Sequence, residues 1–132
     1  MSDDGQVIDR LFGALADGDV DVAVACFADE AKVWHCFDCI AHDKPAMREQ
    51  WQALVDNFPE RDFVDVRRQP IPGGFVQQHV MTATTASGAN KAWPTCIVVR
   101  VENGLIARLD EYIDRAGAFD PGPNGLKVTP GL

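Results

Sequence analysis

Pro59 divides this chain into two textures, and that switch constrains the fold more than any other feature. Before it, apolar residues recur at helical spacing; after it, β-branched and aromatic runs alternate with glycine-rich turns. Val7, Ile8, Leu11, Phe12 and Leu15 form one stripe of an amphipathic helix that Gly18 can close. Asp19 suits an N-cap, and Val22, Ala23, Cys26 and Phe27 make a second short apolar face. Two antiparallel helices joined through Asp17-Gly18 are therefore expected. Residues 31–37 (AKVWHCF) show no helical period and read as a strand ending near Asp38. Asp43 can cap a third and longest helix with Pro45 in its first turn, where Met47, Trp51, Leu54, Val55 and Phe58 recur until Pro59.

Beyond Pro59, residues 63–68, 75–85, 92–101 and 105–114 read as strands, punctuated by Pro72-Gly73-Gly74, Ser87-Gly88 and the hairpin signal Glu102-Asn103-Gly104. Helices first and a meander afterwards predict an α+β fold. Three N-terminal helices should pack on a curved, mainly antiparallel sheet of four or five strands that encloses a mostly apolar hollow. The 132 residues, 46% of them hydrophobic, suit a single domain with one core. Its globular part should span about residues 5–116, and residues 117–132, rich in glycine and proline, should be irregular, a lid or a dimer arm.

A net charge of −8 with 12 scattered Lys and Arg opposes nucleic acid as a partner. No apolar run approaches the roughly 20 residues of a membrane span, and the acidic start is unlike a signal peptide, so no membrane partner and a cytoplasmic location are expected. In that compartment Cys26, Cys36, Cys39 and Cys96 should be reduced thiols.

The stretches LFGALADGDVDVAVACFADEAKVW, residues 11–34, and GLIARLDEYID, residues 104–114, resemble the nuclear transport factor 2-like superfamily, with its SnoaL-like and ketosteroid isomerase-like domains. The resemblance covers residues 7–114 and implies a cone-shaped α+β barrel and a homodimer. It places the isomerases' catalytic base at His35, and their oxyanion donors near Leu11 and Ile97, neither of which can donate. The carboxylate that epoxide hydrolases carry on the last strand matches Glu111; the arginine and aspartate that accompany it have no match. SnoaL cyclases likewise use a carboxylate from the sheet as a base.

Residue parity sharpens these candidates. In an extended strand Leu109, Glu111 and Ile113 share one face, with Asp110, Tyr112 and Asp114 on the other. The apolar pair marks the cavity side, where desolvation would tune Glu111 for acid–base work, unless the register is inverted or an arginine pairs with it. His35, after Trp34, can exchange protons near neutral pH or be a satisfied interior histidine. Asp38 could orient His35, act independently or simply make a turn. His79 falls roughly opposite Ile97 if the turn lies near Ser87-Gly88, facing inward unless the register slips. The catalytic candidates are thus His35, Glu111, Asp38 and His79. Trp34, Trp51, Phe75, Trp93, Leu109 and Ile113 could line a substrate pocket or pack as ordinary core.

Cys36-x2-Cys39 between His35 and His42 collects zinc-ligand types but lacks the second ligand pair of a structural finger, and adjacent strand residues point apart. No phosphate-cradling glycine loop is present either. The expectation is no metal and no cofactor. The sequence thus predicts proton transfer on a hydrophobic cyclic or aromatic small molecule by an isomerase, cyclase, lyase or hydrolase. The alternative is a non-catalytic ligand-binding or dimerisation module.

Overall fold

A computed structural model describes residues 5–113; Asp114 and the expected irregular tail 117–132 lie outside the described residues. Helices α1 (Gly5–Asp17) and α2 (Val20–Ala25) lead into strand β1 (Phe27–His35) and the short β2 (Ile40–His42), followed by helix α3 (Lys44–Asn57). The remaining strands are β3 (Glu60–Ile71), β4 (Gly74–Thr84), β5 (Asn90–Glu102) and β6 (Leu105–Ile113).

Each helix boundary has a local cause. At the end of α1, Gly18 takes φ 81°, and the Asp19 amide donates to the Ala14 carbonyl at 2.8 Å, satisfying a group the helix would otherwise orphan. Asp19 caps α2 by accepting from the Val22 amide, and Asp43 caps α3 by accepting from the Ala46 amide. The expected stripe of α1 is buried at Val7, Ile8, Leu11 and Leu15. The second face differs from expectation: α2 buries Val20, Ala23 and Val24 while Val22 stays exposed, because only six residues are helical and Cys26 and Phe27 leave the helix. Phe27 instead opens β1 and sits in the core at 1% exposure, where truncation to Ala would cost about 3–5 kcal/mol.

The sheet has six strands in the order β2-β1-β6-β5-β4-β3. It exceeds the expected four or five because the chain doubles back after Cys39, itself at φ 57°, to add β2. β1 and β6 run parallel; the other neighbours are antiparallel. The sheet does not close, since β2 and β3 are its edges. Glu102 pairs with Leu105 across Asn103 and Gly104, both at positive φ, which is the tight hairpin the sequence signals. Thr84 pairs with Asn90, so the β4–β5 register places His79 opposite Thr95 and Gln77 opposite Ile97. That is a two-residue correction to the expected His79–Ile97 pairing. An even shift preserves the face, so His79 still points inward.

Arg61, on β3, ties the layers together. Its guanidinium donates to the Leu15 carbonyl at 2.8 Å, the Ala16 carbonyl at 3.1 Å and the Phe58 carbonyl. It thereby satisfies carbonyls at the ends of α1 and α3, sharing that of Leu15 with the Gly18 amide at 3.2 Å.

Candidate functional site

Helices α1 and α3 and the inner face of the sheet enclose a cavity of about 550 Å³. Phe12, Leu11 and Leu15 reach it from α1, Trp51, Leu54 and Phe58 from α3 and its end, and Phe63, Met81 and Trp93 from the sheet. Against this apolar wall His35, His79 and Glu111 converge from β1, β4 and β6. Leu109, Glu111 and Ile113 all line it, as their shared parity on β6 requires.

His35 and Glu111 are neighbours because their strands run parallel in register, His35 opposite Glu111. The Cys36 amide continues the ladder by donating to the Glu111 carbonyl at 3.0 Å. Glu111 Oε1 lies 3.6 Å from His35 Nε2. Burial among the apolar walls pushes the Glu111 carboxyl up to about 7, because the charged form loses water. His35 is 7% exposed and stacks on Phe37, ring centroids 4.8 Å apart.

His79 reaches the cavity from β4. Its ring meets Phe12 and Phe63 edge-on at 4.8 and 5.6 Å, and desolvation pulls its pKa down to about 4. Gln77, two residues earlier on the same strand face, places Nε2 3.1 Å from His79 Nδ1. Arg68 Nε donates to the other end of that amide, Gln77 Oε1, at 2.8 Å, and Arg68 Nη2 donates to Asp9 at 2.6 Å.

Other candidates lie elsewhere. Asp38 does not line the cavity: it accepts from the Ile40 amide at 2.9 Å and lies 2.8 Å from His42 Nε2, and these bonds hold its carboxyl below the usual range. Trp34 points to the outer face of the sheet against Tyr112, centroids 5.3 Å apart, since it has the opposite parity to His35. Phe75 packs at the core's margin beneath the Arg68 guanidinium. Trp51 and Trp93 do line the cavity, as do Phe12, Phe58 and Phe63, which the sequence presents only as helix-stripe or strand residues.

The Cys/His stretch gathers an unexpected set. His35, Asp38 and His42 bring one ligand atom each within 4.8 Å of one another, so a divalent cation could be held by two imidazoles and a carboxylate. The thiols take no part: Cys36 Sγ donates to the Ile113 carbonyl and Cys39 Sγ to the Cys36 carbonyl.

The sequence pattern of the SnoaL-like domain matches residues 8–109. The chain belongs to the SnoaL-like domain family. No curated protein matches it by sequence. Among solved structures this SnoaL-like domain is similar to IdmH of Streptomyces antibioticus, described as a candidate polyketide cyclase, with a TM-score of 0.77, 16% identity and coverage of 87% of this chain and 94% of that one. It is also similar to an NTF2-like protein of unknown function from Burkholderia pseudomallei, TM-score 0.74, 16% identity, covering 88% and 94%. A third likeness is to a candidate isomerase from Bacillus subtilis, TM-score 0.75, 9% identity, covering 85% and 86%. At such identities the SnoaL-like domain shares the fold with these proteins, while its chemistry must be argued from its own cavity. No described helix is long and apolar enough to cross a membrane.

Proposed function

We propose that this SnoaL-like domain is a cofactor-independent enzyme that moves protons on a hydrophobic cyclic or aromatic small molecule. The observation that carries the reading is the convergence of Glu111, His35 and His79 in one mostly apolar cavity of about 550 Å³. A carboxyl whose pKa is raised to about 7 is an effective base near neutral pH: a large fraction is ionised, and its conjugate acid readily returns the proton. His35, at 3.6 Å, receives or relays that proton or positions water. Asp38, a catalytic candidate in the sequence, has its carboxylate engaged by His42 and Ile40 outside the cavity; its place in this proposal is to fix the turn that follows His35.

The proposal covers isomerase, cyclase, lyase and hydrolase chemistry in which a general base takes the first proton from substrate or water. The candidate names of the cyclase and isomerase with the same fold are compatible with it. Glu111→Gln and His35→Asn, each tested alone, should lower turnover by about a hundredfold. Full activity in both would reject the assignment, and ligand binding with no turnover in the wild type would favour a binding module instead.

A further inference from the structure

The reversal between β1 and β2 gathers three metal-ligand side chains within residues 35–42. Val33 pairs with His42 and His35 with Ile40, so His42 lies diagonally across from His35. His35 follows Val33 by two positions, and that even spacing keeps the two histidines on one face of the ladder. Their ring centroids are 5.7 Å apart. Asp38 comes from the turn itself. The Cys39 amide donates to the His35 carbonyl at 2.8 Å and Cys39 takes φ 57°, which folds the chain back and sets Asp38 beside His42.

Neighbours already orient these ligands. Asp38 Oδ1 accepts from the Ile40 amide at 2.9 Å, and Oδ2 lies 2.8 Å from His42 Nε2. His35 is 7% exposed, and its ring stacks on Phe37 at an interplanar angle of 14°. Such outer contacts hold ligands in place before a cation arrives. One ligand atom from each of the three residues lies within 4.8 Å of the others. Donor atoms bound to one tetrahedral zinc lie about 3.3 Å apart, so small side-chain rotations close the set. The thiols are engaged outside it, Cys36 Sγ with the Ile113 carbonyl and Cys39 Sγ with the Cys36 carbonyl.

We infer that His35, Asp38 and His42 form a binding site for a divalent cation of the zinc class, and that the bound cation withdraws His35 from Glu111. Two imidazoles and one carboxylate select borderline cations, Zn2+ foremost, over Mg2+ and Ca2+, which take mainly oxygen ligands. Three protein ligands leave a fourth position for water. A net charge of −8 favours the cation's approach. On binding, a lone pair from each ring and one from the carboxylate go to the ion, and the proton shared by Asp38 and His42 leaves to solvent. No oxidation state changes.

The consequence for turnover rests on the proton-transfer reading above. A neutral imidazole has one acceptor lone pair. Once the cation holds it, His35 cannot accept a proton from Glu111, 3.6 Å away. The proposed reaction, with its pH dependence, therefore belongs to the metal-free protein, and zinc is its inhibitor.

Titration calorimetry of zinc chloride into the full chain, stripped with chelator and reduced, tests the site at about pH 7.5. One zinc per chain should bind, and His35→Asn, Asp38→Asn and His42→Gln should each weaken it by about tenfold or more. The double variant Cys36→Ser, Cys39→Ser should bind within about twofold of wild type. In two-bond nitrogen–proton spectra of 15N-labelled protein, zinc should move the His35 and His42 rings and leave His79, on β4, unchanged. Saturating zinc should slow wild-type α-proton exchange of the ring ketone 2-tetralone by about a hundredfold, as loss of His35 does. The exchange catalysed by His42→Gln, whose amide keeps a donor for Asp38, should equal that of metal-free wild type and resist zinc. Absence of stoichiometric zinc, binding lost with the cysteines, a His35 ring that zinc leaves unmoved, or undiminished exchange in zinc-saturated wild type would each overturn the inference. Zinc held by both rings in a protein that catalyses no exchange when metal-free would instead refute the proton-transfer reading and support the site, so the two failures are distinguishable.

Discussion

Glu111 Oε1 and His35 Nε2 lie 3.6 Å apart at one wall of an apolar cavity, on parallel strands whose register sets the two residues side by side. A titratable pair in such a place has little use in packing, since burying it costs stability. In the proposed reaction the pair supplies the base and its proton relay; the pH dependence of activity follows from Glu111, and that of stability from Glu111 and His79.

Activity should rise with pH. In the proposed reaction Glu111 removes a proton only as a carboxylate, and burial raises its pKa to about 7. Accordingly kcat/KM should climb through about pH 7 and level off above about pH 8. A pH–rate profile checks this, and Glu111→Asp should move the rising limb while Glu111→Gln abolishes it.

Stability should show two opposing limbs. The His79 pKa falls to about 4 on folding, so the unfolded chain binds the proton between about pH 4 and its ordinary 6.5, and stability from this group grows as pH rises through that window. Glu111 has the opposite sign: the folded state holds the proton between about 4.5 and 7, so its contribution falls as pH rises. Relative to wild type, His79→Phe should therefore gain most at acid pH. Glu111→Gln should gain most above about pH 7, becoming more stable as it loses activity. Denaturant titrations at several pH values measure both differences.

Tryptophan fluorescence should separate the cavity from the outer face. Trp51 and Trp93 line the cavity, whereas Trp34 stacks with Tyr112 outside it. In variants keeping one tryptophan each, 2-naphthol should change the emission of Trp51 and Trp93 and leave Trp34 unaltered. A response from Trp34 alone would place the ligand on the other face.

Arg61 should be a structural residue whose loss is felt far from its own strand. It donates to carbonyls of Leu15, Ala16 and Phe58 at two helix ends. Arg61→Met removes the side-chain donor from all three carbonyls, leaving Leu15 only the Gly18 amide at 3.2 Å, and should cost about 3 kcal/mol in chemical denaturation. A loss under about 0.5 kcal/mol would mean that water replaces the guanidinium.

Local signals made most of this fold legible. The period of α1, the caps Asp19 and Asp43, and the Asn103-Gly104 hairpin each depend on residues within a few positions, and the structure places them where expected. Parity on β6 likewise brought Glu111 to the cavity, because alternation is a property of any extended strand. What escaped depends on distant partners. The β4–β5 register follows from a turn between Thr84 and Asn90, and β2 from a reversal that leaves Cys39 at positive φ. Trp34 and His35 are adjacent, so only one could face inward, and the sequence alone did not separate them as substrate-lining candidates. Gln77 and His79 shared a face legibly, but the Arg68 donor that orients them comes from another strand and owes its own position to Asp9 on α1.

The most direct test of the central claim is the exchange of the α-protons of 2-tetralone for deuterium, followed by proton NMR in deuterated buffer near pH 8. Wild-type protein should accelerate exchange over buffer, and Glu111→Gln should reduce that acceleration by about a hundredfold while still binding the ketone. Exchange that is no faster with wild-type protein despite bound 2-tetralone, or equally fast with Glu111→Gln, would contradict the account.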